Sequence, residues 1–235
     1  MKRDHVLPAG LSMAAGFVEA VCFIGLFHTF TTYITGTVMI MTIDLIRSDP
    51  GAITKAVTFF MFVIVTVLWV SIIRIWAIPT RKKVVALLIT EGSLIALFAI
   101  VGHFFSPLAS ADAIGTYVVS VFGVFAMSLH SALFFQMLSK SAPSHFMTGN
   151  LTHFTRGLVD LVIAPSFRAK LSHEEHAEAQ FRIVHFPLVF GSFIVGVAAG
   201  CIGLLEIGFL SLLFPAALVL ALGVRTLILK ETGLH

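Results

Sequence analysis

Charged residues are scarce in this sequence. Asp, Glu, Lys and Arg make up 11% of the 235 residues, whereas 58% of the residues are hydrophobic. A soluble domain has roughly 25% charged residues, and the mean hydropathy of +1.01 also points away from water as the solvent. We therefore expect the lipid bilayer to be the environment of the chain, and we read residues 1–235 as a single integral membrane domain.

Cysteine is also rare, and familiar catalytic motifs are missing. Cys22 and Cys201 are the 2 cysteines and both lie in apolar runs, which excludes a disulfide framework and a paired-cysteine zinc motif. No Walker loop, dinucleotide fingerprint or nucleophile elbow occurs. We expect no enzymatic activity, no cofactor and no metal site. The net charge of +3 is spread between apolar runs rather than gathered in a basic stripe, so no nucleic-acid partner is expected.

What the sequence has instead is a series of long apolar runs. A helix needs roughly 20 apolar residues to cross a bilayer. Two shorter segments, 33–46 and 146–163, contain Thr and Gly near their starts and also carry charges, which is typical of broken, re-entrant or tilted helices. The predicted fold is an all-α polytopic transmembrane helix bundle with two short Thr-Gly helices and about six long spans, at 8–29, 56–78, 84–105, 114–138, 186–206 and 208–229.

The distribution of Lys and Arg predicts an orientation. The first run contains Glu19 and lacks a clear cleavage site, so we expect a retained helix rather than a signal peptide. With six spans and a cytoplasmic N-terminus, every Lys and Arg except Arg47 and Lys55 falls on the cytoplasmic side, as the positive-inside rule requires. Eight spans would weaken this bias considerably. We therefore expect both termini in the cytoplasm.

The chain also contains an internal repeat. An apolar helix with a polar residue near its middle is followed by Thr-Gly-Thr at 35–37 in the first copy and by Thr-Gly-Asn at 148–150 in the second. The repeat halves extend over about 8–105 and 114–229. Three crossings in each half would make the halves inverted, as in many secondary transporters, whereas four would make them parallel.

These motifs resemble those of a known family. The stretch Gly16–Ala20 (Gly-Phe-Val-Glu-Ala), together with the elements at 35–37 and 148–150, is similar to the YoaK-like family of uncharacterised bacterial membrane proteins, with Glu19 where that family is expected to have Asp. The resemblance covers nearly the whole chain. It implies a six-helix protein of the bacterial inner membrane and no established substrate.

Glu19 is the strongest functional candidate, because a carboxyl group within a membrane helix is costly unless it is paired, protonated or hydrated. The alternative is a hydrogen-bonded Glu that holds helices together. The Thr-Gly elements either frame a binding site at helix N-termini or provide small-residue helix crossings. The repeat places His130 near the counterpart of Glu19, and a Glu and His pair would be able to relay protons. The alternative for His130 is a histidine that only packs between helices. The candidate residues for binding a substrate or coupling ion are Glu19, Thr35, Gly36, Thr37, Glu91, His130, Gln136, Thr148, Gly149 and Asn150.

Two functions fit these observations. The leading hypothesis is a small secondary transporter or permease with its site between the repeat halves and Glu19 as the coupling group. The alternative is a non-transporting structural or regulatory membrane protein whose polar residues serve helix packing. The expected partners are the lipid bilayer and a small molecule or ion, and a homo-oligomer is left open. The substrate does not follow from the sequence.

Overall fold

The described part of the chain is helical and has no strands. The structure is a computed structural model that describes residues 5–138, 147–163 and 173–228. A π-helical turn, Val159–Ile163, continues the sixth helix, and a 3-10 turn, Gly208–Leu212, joins the last two helices. The helices are α1 (Val6–Gly25), α2 (Ile34–Arg47), α3 (Ala52–Ile75), α4 (Thr80–Phe105), α5 (Ile114–Met137), α6 (Met147–Leu158), α7 (His173–Ile207) and α8 (Leu213–Ile228).

Five stretches of the described residues are long and apolar enough to cross a membrane. They are α1, α3, α4, α5 and the stretch Ile183–Ile228, which is 46 residues long and includes the 3-10 turn. The structure thus confirms an all-helical bundle whose apolar helices suit a multi-pass membrane protein. The number of crossings and the internal repeat stay predictions.

Two pairs of long helices run parallel. In the first pair, the hydroxyl of Ser12 on α1 donates a hydrogen bond to the carbonyl of Val189 on α7 (3.0 Å). In the second pair, Trp69 Nε1 on α3 donates to the carbonyl of Phe125 on α5 (3.2 Å). Each first helix of a proposed half, α1 or α5, therefore packs against the second long helix of the other half.

The third long helices, α4 and α8, pack against each other in opposite directions. Arg81 Nε at the start of α4 donates to the carbonyl of Thr226 near the end of α8 (3.0 Å), while Gly102 near the end of α4 contacts Phe209 in the 3-10 turn. The first turn of α1 also lies beside α8, through Gly10 and its neighbour Leu222. The described chain therefore begins and ends at one end of the bundle, called here the terminal end; the other is the distal end.

The tightest helix contact lies between α1 and α7, where glycines let the backbones touch. A Cβ atom added to Gly200 would lie 2.5 Å from the carbonyl oxygen of Phe17, and one added to Gly196 would overlap the carbonyl of Met13. Gly196 and Gly200 form a Gly-x-x-x-Gly pattern, a common small-residue interface of membrane helices. The pattern is visible in the sequence, but a helix contact at these glycines was not among our predictions.

Replacing one of these glycines tests the α1–α7 contact. Gly196→Ala should destabilise the protein by about 1–3 kcal/mol, because the added methyl group meets backbone that cannot rotate away. Gly191→Ala on the same helix is the matched control, since its Cβ would meet nothing within 4 Å and Ala favours the helix by up to about 1 kcal/mol. Melting temperatures in detergent measure both. Equal melting temperatures would contradict the backbone contact.

Candidate functional site

The site is built around a break in the helical path. The 26–33 segment joins α1 to α2 and is not helical, and Phe27 (φ 51°) and His28 (φ 64°) adopt left-handed backbone conformations. Such a conformation costs a non-glycine residue on the order of 1–3 kcal/mol and persists only where surrounding contacts impose it. The two strained residues turn the chain back towards the middle of α1.

Glu19 supplies the contacts that hold the 26–33 segment. Its buried side chain accepts four hydrogen bonds: Oε1 accepts from the hydroxyls of Thr31 and Thr32 and from the N–H of Thr32, each at 2.7 Å, and Oε2 accepts from the N–H of Thr31 at 3.2 Å. We call this arrangement the Glu19 latch. Two of the donors are backbone N–H groups, which would otherwise be buried without partners at large free-energy penalty.

The first Thr-Gly element reinforces the same segment. The hydroxyl of Thr37 accepts from the N–H of Phe30 (3.0 Å) and donates to its carbonyl (2.8 Å). The ring of Phe30 lies against Gly36, where an added Cβ would be 3.0 Å away, while Thr35 is exposed. This element therefore fixes the start of α2 beside Glu19, and α2 then runs to the distal end.

A cavity of about 260 Å³ lies between α1, α7 and the 26–33 segment. This volume is close to the lower end of small-molecule sites, roughly 300–1,000 Å³. Glu19 borders the cavity, although its carboxylate oxygens are engaged in the latch. Aromatic rings form much of the wall, and the rings of Tyr33 and Phe193 meet edge to face at 6.1 Å. The lining residues are Glu19, Ala20, Phe23, Ile24, Phe30, Tyr33, Phe193, Val197 and Cys201.

A second buried polar group joins α4 to α5. Nδ1 of His130 lies 2.7 Å from Oε1 of Glu91, and both side chains are almost fully buried, with exposures of 1% and 0%. The other oxygen of Glu91, Oε2, has no hydrogen-bond partner among the described residues. The glutamate that His130 contacts is therefore Glu91, whereas Glu19 accepts its hydrogen bonds from Thr31 and Thr32.

The chain matches one known protein family over most of its length. Residues 7–225 match the family described as "Protein of unknown function (DUF1275)". The chain belongs to this family. The membership confirms the resemblance to an uncharacterised family that the sequence motifs indicated. Neither the curated proteins nor the solved structures contain a match to the chain. Any functional conclusion therefore rests on the residues of this chain.

The second Thr-Gly element has different surroundings from the first. Gly149 is exposed, and an added Cβ would meet nothing within 4 Å, whereas Gly36 is packed against a ring. Asn150 and Gln136 are half-buried. The side chain of Thr148 lies outside the described residues. Whether the two elements face each other across one site stays a prediction.

The remaining charged residues of the short segments form pairs. Arg156 Nε lies 3.6 Å from Asp160 Oδ2, a pair four residues apart, and Arg156 is 70% exposed. Asp44, near the end of α2, lies 2.8 Å from the ammonium group of Lys55, which is only 2% exposed. This second pair lies at the distal end and was not predicted.

Asp112 completes a polar cluster at the distal end, between α4 and α5. Its carboxylate accepts hydrogen bonds from the N–H of Gly51 (2.8 Å) and from the hydroxyls of Thr54 (3.2 Å) and Tyr117 (3.4 Å). Burial alone would raise the pKa of Asp112, but these hydrogen bonds hold the pKa below its usual value. The cluster ties the turn between α2 and α3 to the turn between α4 and α5.

The latch can be tested by removing its hydroxyl donors. Thr31→Val and Thr32→Val preserve side-chain shape but each takes one hydrogen bond from Glu19, which should lower the free energy of unfolding by about 1–3 kcal/mol. Thr35→Val is the control, because Thr35 is exposed, and it should change stability by less than about 0.5 kcal/mol. Melting temperatures in detergent report the difference. Three equal melting temperatures would show that the two hydroxyl hydrogen bonds of the latch contribute nothing to stability.

The lowered pKa of Asp112 predicts a pH dependence. A carboxyl group whose pKa is lower in the folded state stabilises the protein above the unfolded value, about 3.9, and this stabilisation is lost as the pH falls through the folded pKa. Asp112→Asn should therefore lower the melting temperature at pH 7, and its difference from the wild type should shrink below about pH 4. Asp49→Asn, at an exposed position nearby, should follow the wild type. A constant difference at all pH values would exclude the ionised carboxylate as the source.

Proposed function

We propose that this protein is a small secondary transporter or permease whose substrate site is the aromatic cavity between α1, α7 and the 26–33 segment. The observation that carries the proposal is the cavity itself, which is bordered by a buried carboxyl group and by a break in the helical path. Transporters commonly bind substrate where membrane helices are discontinuous and backbone groups are free of the helical pattern. The substrate stays unidentified.

The packing of the long helices supports two inverted halves. If each helix is replaced by its counterpart in the other half, the parallel pair α1–α7 becomes the parallel pair α5–α3. The antiparallel pair α4–α8 then becomes α8–α4, which is the same pair. A two-fold axis in the membrane plane relates elements in this way, and inverted repeats permit alternating access around a central site. We infer three crossings in each half, with α2 and α6 as short helices that do not cross.

The location is part of the same proposal. A chain that begins and ends at one end of the bundle is consistent with both termini in the cytoplasm of a bacterial cell, with the bundle in the inner membrane. Lys55 and Arg47 would then lie on the outer side. Apolar side chains on the outer face of α3, such as Phe60 (63% exposed) and Ile64 (61%), suit contact with lipid tails. We propose no enzymatic role.

One observation favours the non-transporting alternative. The carboxylate of Glu19 is engaged by four donors of its own chain, so in this conformation it serves to hold the 26–33 segment. A structural protein would need no more than this. The two functions differ in whether water reaches the cavity, and that difference can be measured.

Cys201 is a natural probe of the cavity. Cys22→Ala leaves Cys201 as the single thiol of the chain, and a charged methanethiosulfonate reagent modifies only thiols that water reaches. In a transporter, we expect modification of Cys201 in both right-side-out and inside-out vesicles. Val197→Phe should fill the cavity and slow the modification by about tenfold or more, which corresponds to at least about 1.4 kcal/mol in the barrier.

The control for the filled cavity is Val195→Phe on the same helix. Val195 is 55% exposed and does not line the cavity, so this variant should be modified at the rate of the parent. If uncharged N-ethylmaleimide reacts with Cys201 while the charged reagent fails from both sides, the cavity is closed to water. The transport proposal would then be wrong, and the structural alternative would stand.

A further inference from the structure

We propose that the buried pair of Glu91 and His130 is a proton-binding site and that, if the protein is a transporter as proposed above, the coupling proton is carried there rather than on Glu19. The pair lies near the middle of α4 and in the second half of α5, with Nδ1 of His130 at 2.7 Å from Oε1 of Glu91. Proton binding by the pair is a property separate from the transport of any substrate.

The contrast with Glu19 shows why Glu91 is suited to this role. Both carboxyl groups are buried, at 3% and 0% exposure. Glu19 accepts four hydrogen bonds from Thr31 and Thr32, whereas Glu91 Oε2 has no partner among the described residues. A buried polar atom without a partner is costly and calls for a functional explanation or an unseen water. Glu91 Oε2 is therefore the atom to which an added proton would bind.

The charge of the pair changes by one unit when the proton binds. Without it, a neutral His130 donates its Nδ1–H to the Glu91 carboxylate, and the pair carries one negative charge in an apolar bundle. Uptake of one proton from water forms an O–H bond at Glu91 Oε2, the oxygen without a partner among the described residues, and makes the pair neutral overall. Release breaks that bond and returns the proton to water, with no other reactant. Burial in the apolar bundle strongly disfavours the negatively charged form of the pair. The free energy of protonation therefore depends on how polar the surroundings of the pair are.

Other charged groups near the pair are few. Of the elements packed on α4 and α5, α8 has Arg225 at the terminal end, and the 3-10 turn has no titratable side chain. From α1, Glu19 is engaged by the latch, and Sγ of Cys22 accepts a hydrogen bond from the hydroxyl of Thr31 (3.6 Å). From α3, Lys55 is paired with Asp44 at the distal end, and Arg74 lies near the terminal end. Among the described residues, Oε2 of Glu91 is the atom of the pair that has no hydrogen-bond partner.

Infrared titration of the protein in lipid nanodiscs tests the proposal with protons alone as the ligand. As the pH is lowered from about 8 to about 5, the wild type should gain the carbonyl-stretch band of one protonated buried carboxyl group. Glu91→Gln should lose this band, and His130→Gln should shift its midpoint. Glu206→Gln, at an exposed position on α7, should retain both the band and its midpoint pH. Melting temperatures verify that each variant is folded.

Two results would overturn the inference. A wild-type spectrum without a buried carboxyl band over this range excludes proton binding by the pair, whether or not any variant folds. A band that persists in folded Glu91→Gln assigns the proton to another residue. Because this titration involves no substrate and no Cys201, its failure is distinguishable from failure of the transport proposal: water access to the cavity and protonation of Glu91 are measured separately.

Discussion

A carboxylate buried in a membrane helix must find hydrogen-bond donors, and this constraint on Glu19 determines the surrounding structure. Helix α1 uses its own N–H groups internally, so the donors must come from elsewhere in the chain. Thr31 and Thr32 provide them, which requires the chain to turn back after Gly25 through two left-handed residues. The start of α2 and the aromatic wall of the cavity follow from that turn, because Phe30 and Tyr33 are carried by the same segment.

The two buried glutamates show that burial alone does not assign a role. Glu19 and Glu91 are equally inaccessible to water, but the number of donors differs. A carboxylate with four donors in place is held in one geometry, so exchanging its proton or its partners disturbs the backbone that supplies them. A carboxylate with a single imidazole partner can gain or lose a proton with little movement of the chain. Environment rather than residue type separates structural from proton-exchanging carboxyl groups.

Much of the fold was predictable from the sequence because the bilayer imposes simple rules on length and hydrophobicity. The apolar helices and the short helices α2 and α6 follow from local patterns. Side-chain partners did not follow: pairing of His130 with Glu91 depends on the rotation of α4 against α5. The latch required a turn through Phe27 and His28, and a left-handed backbone is rare for a bulky residue such as Phe27. The Gly-x-x-x-Gly pattern at 196–200 is visible in the sequence, but the close contact between α1 and α7 was not among our predictions.

The latch also limits how Glu19 can take part in any transport cycle. Its carboxylate can reach a substrate in the cavity only if the 26–33 segment gives up hydrogen bonds to it. The strain at Phe27 and His28 favours that release, by on the order of 1–3 kcal/mol for each residue, while bonds to a charged group oppose it by a similar amount each. With four hydrogen bonds against two strained residues, the closed latch is the favoured state, and a ligand can open it only by binding the open state more tightly. The 26–33 segment is therefore the part of the bundle whose movement would join the cavity to the buried carboxylate.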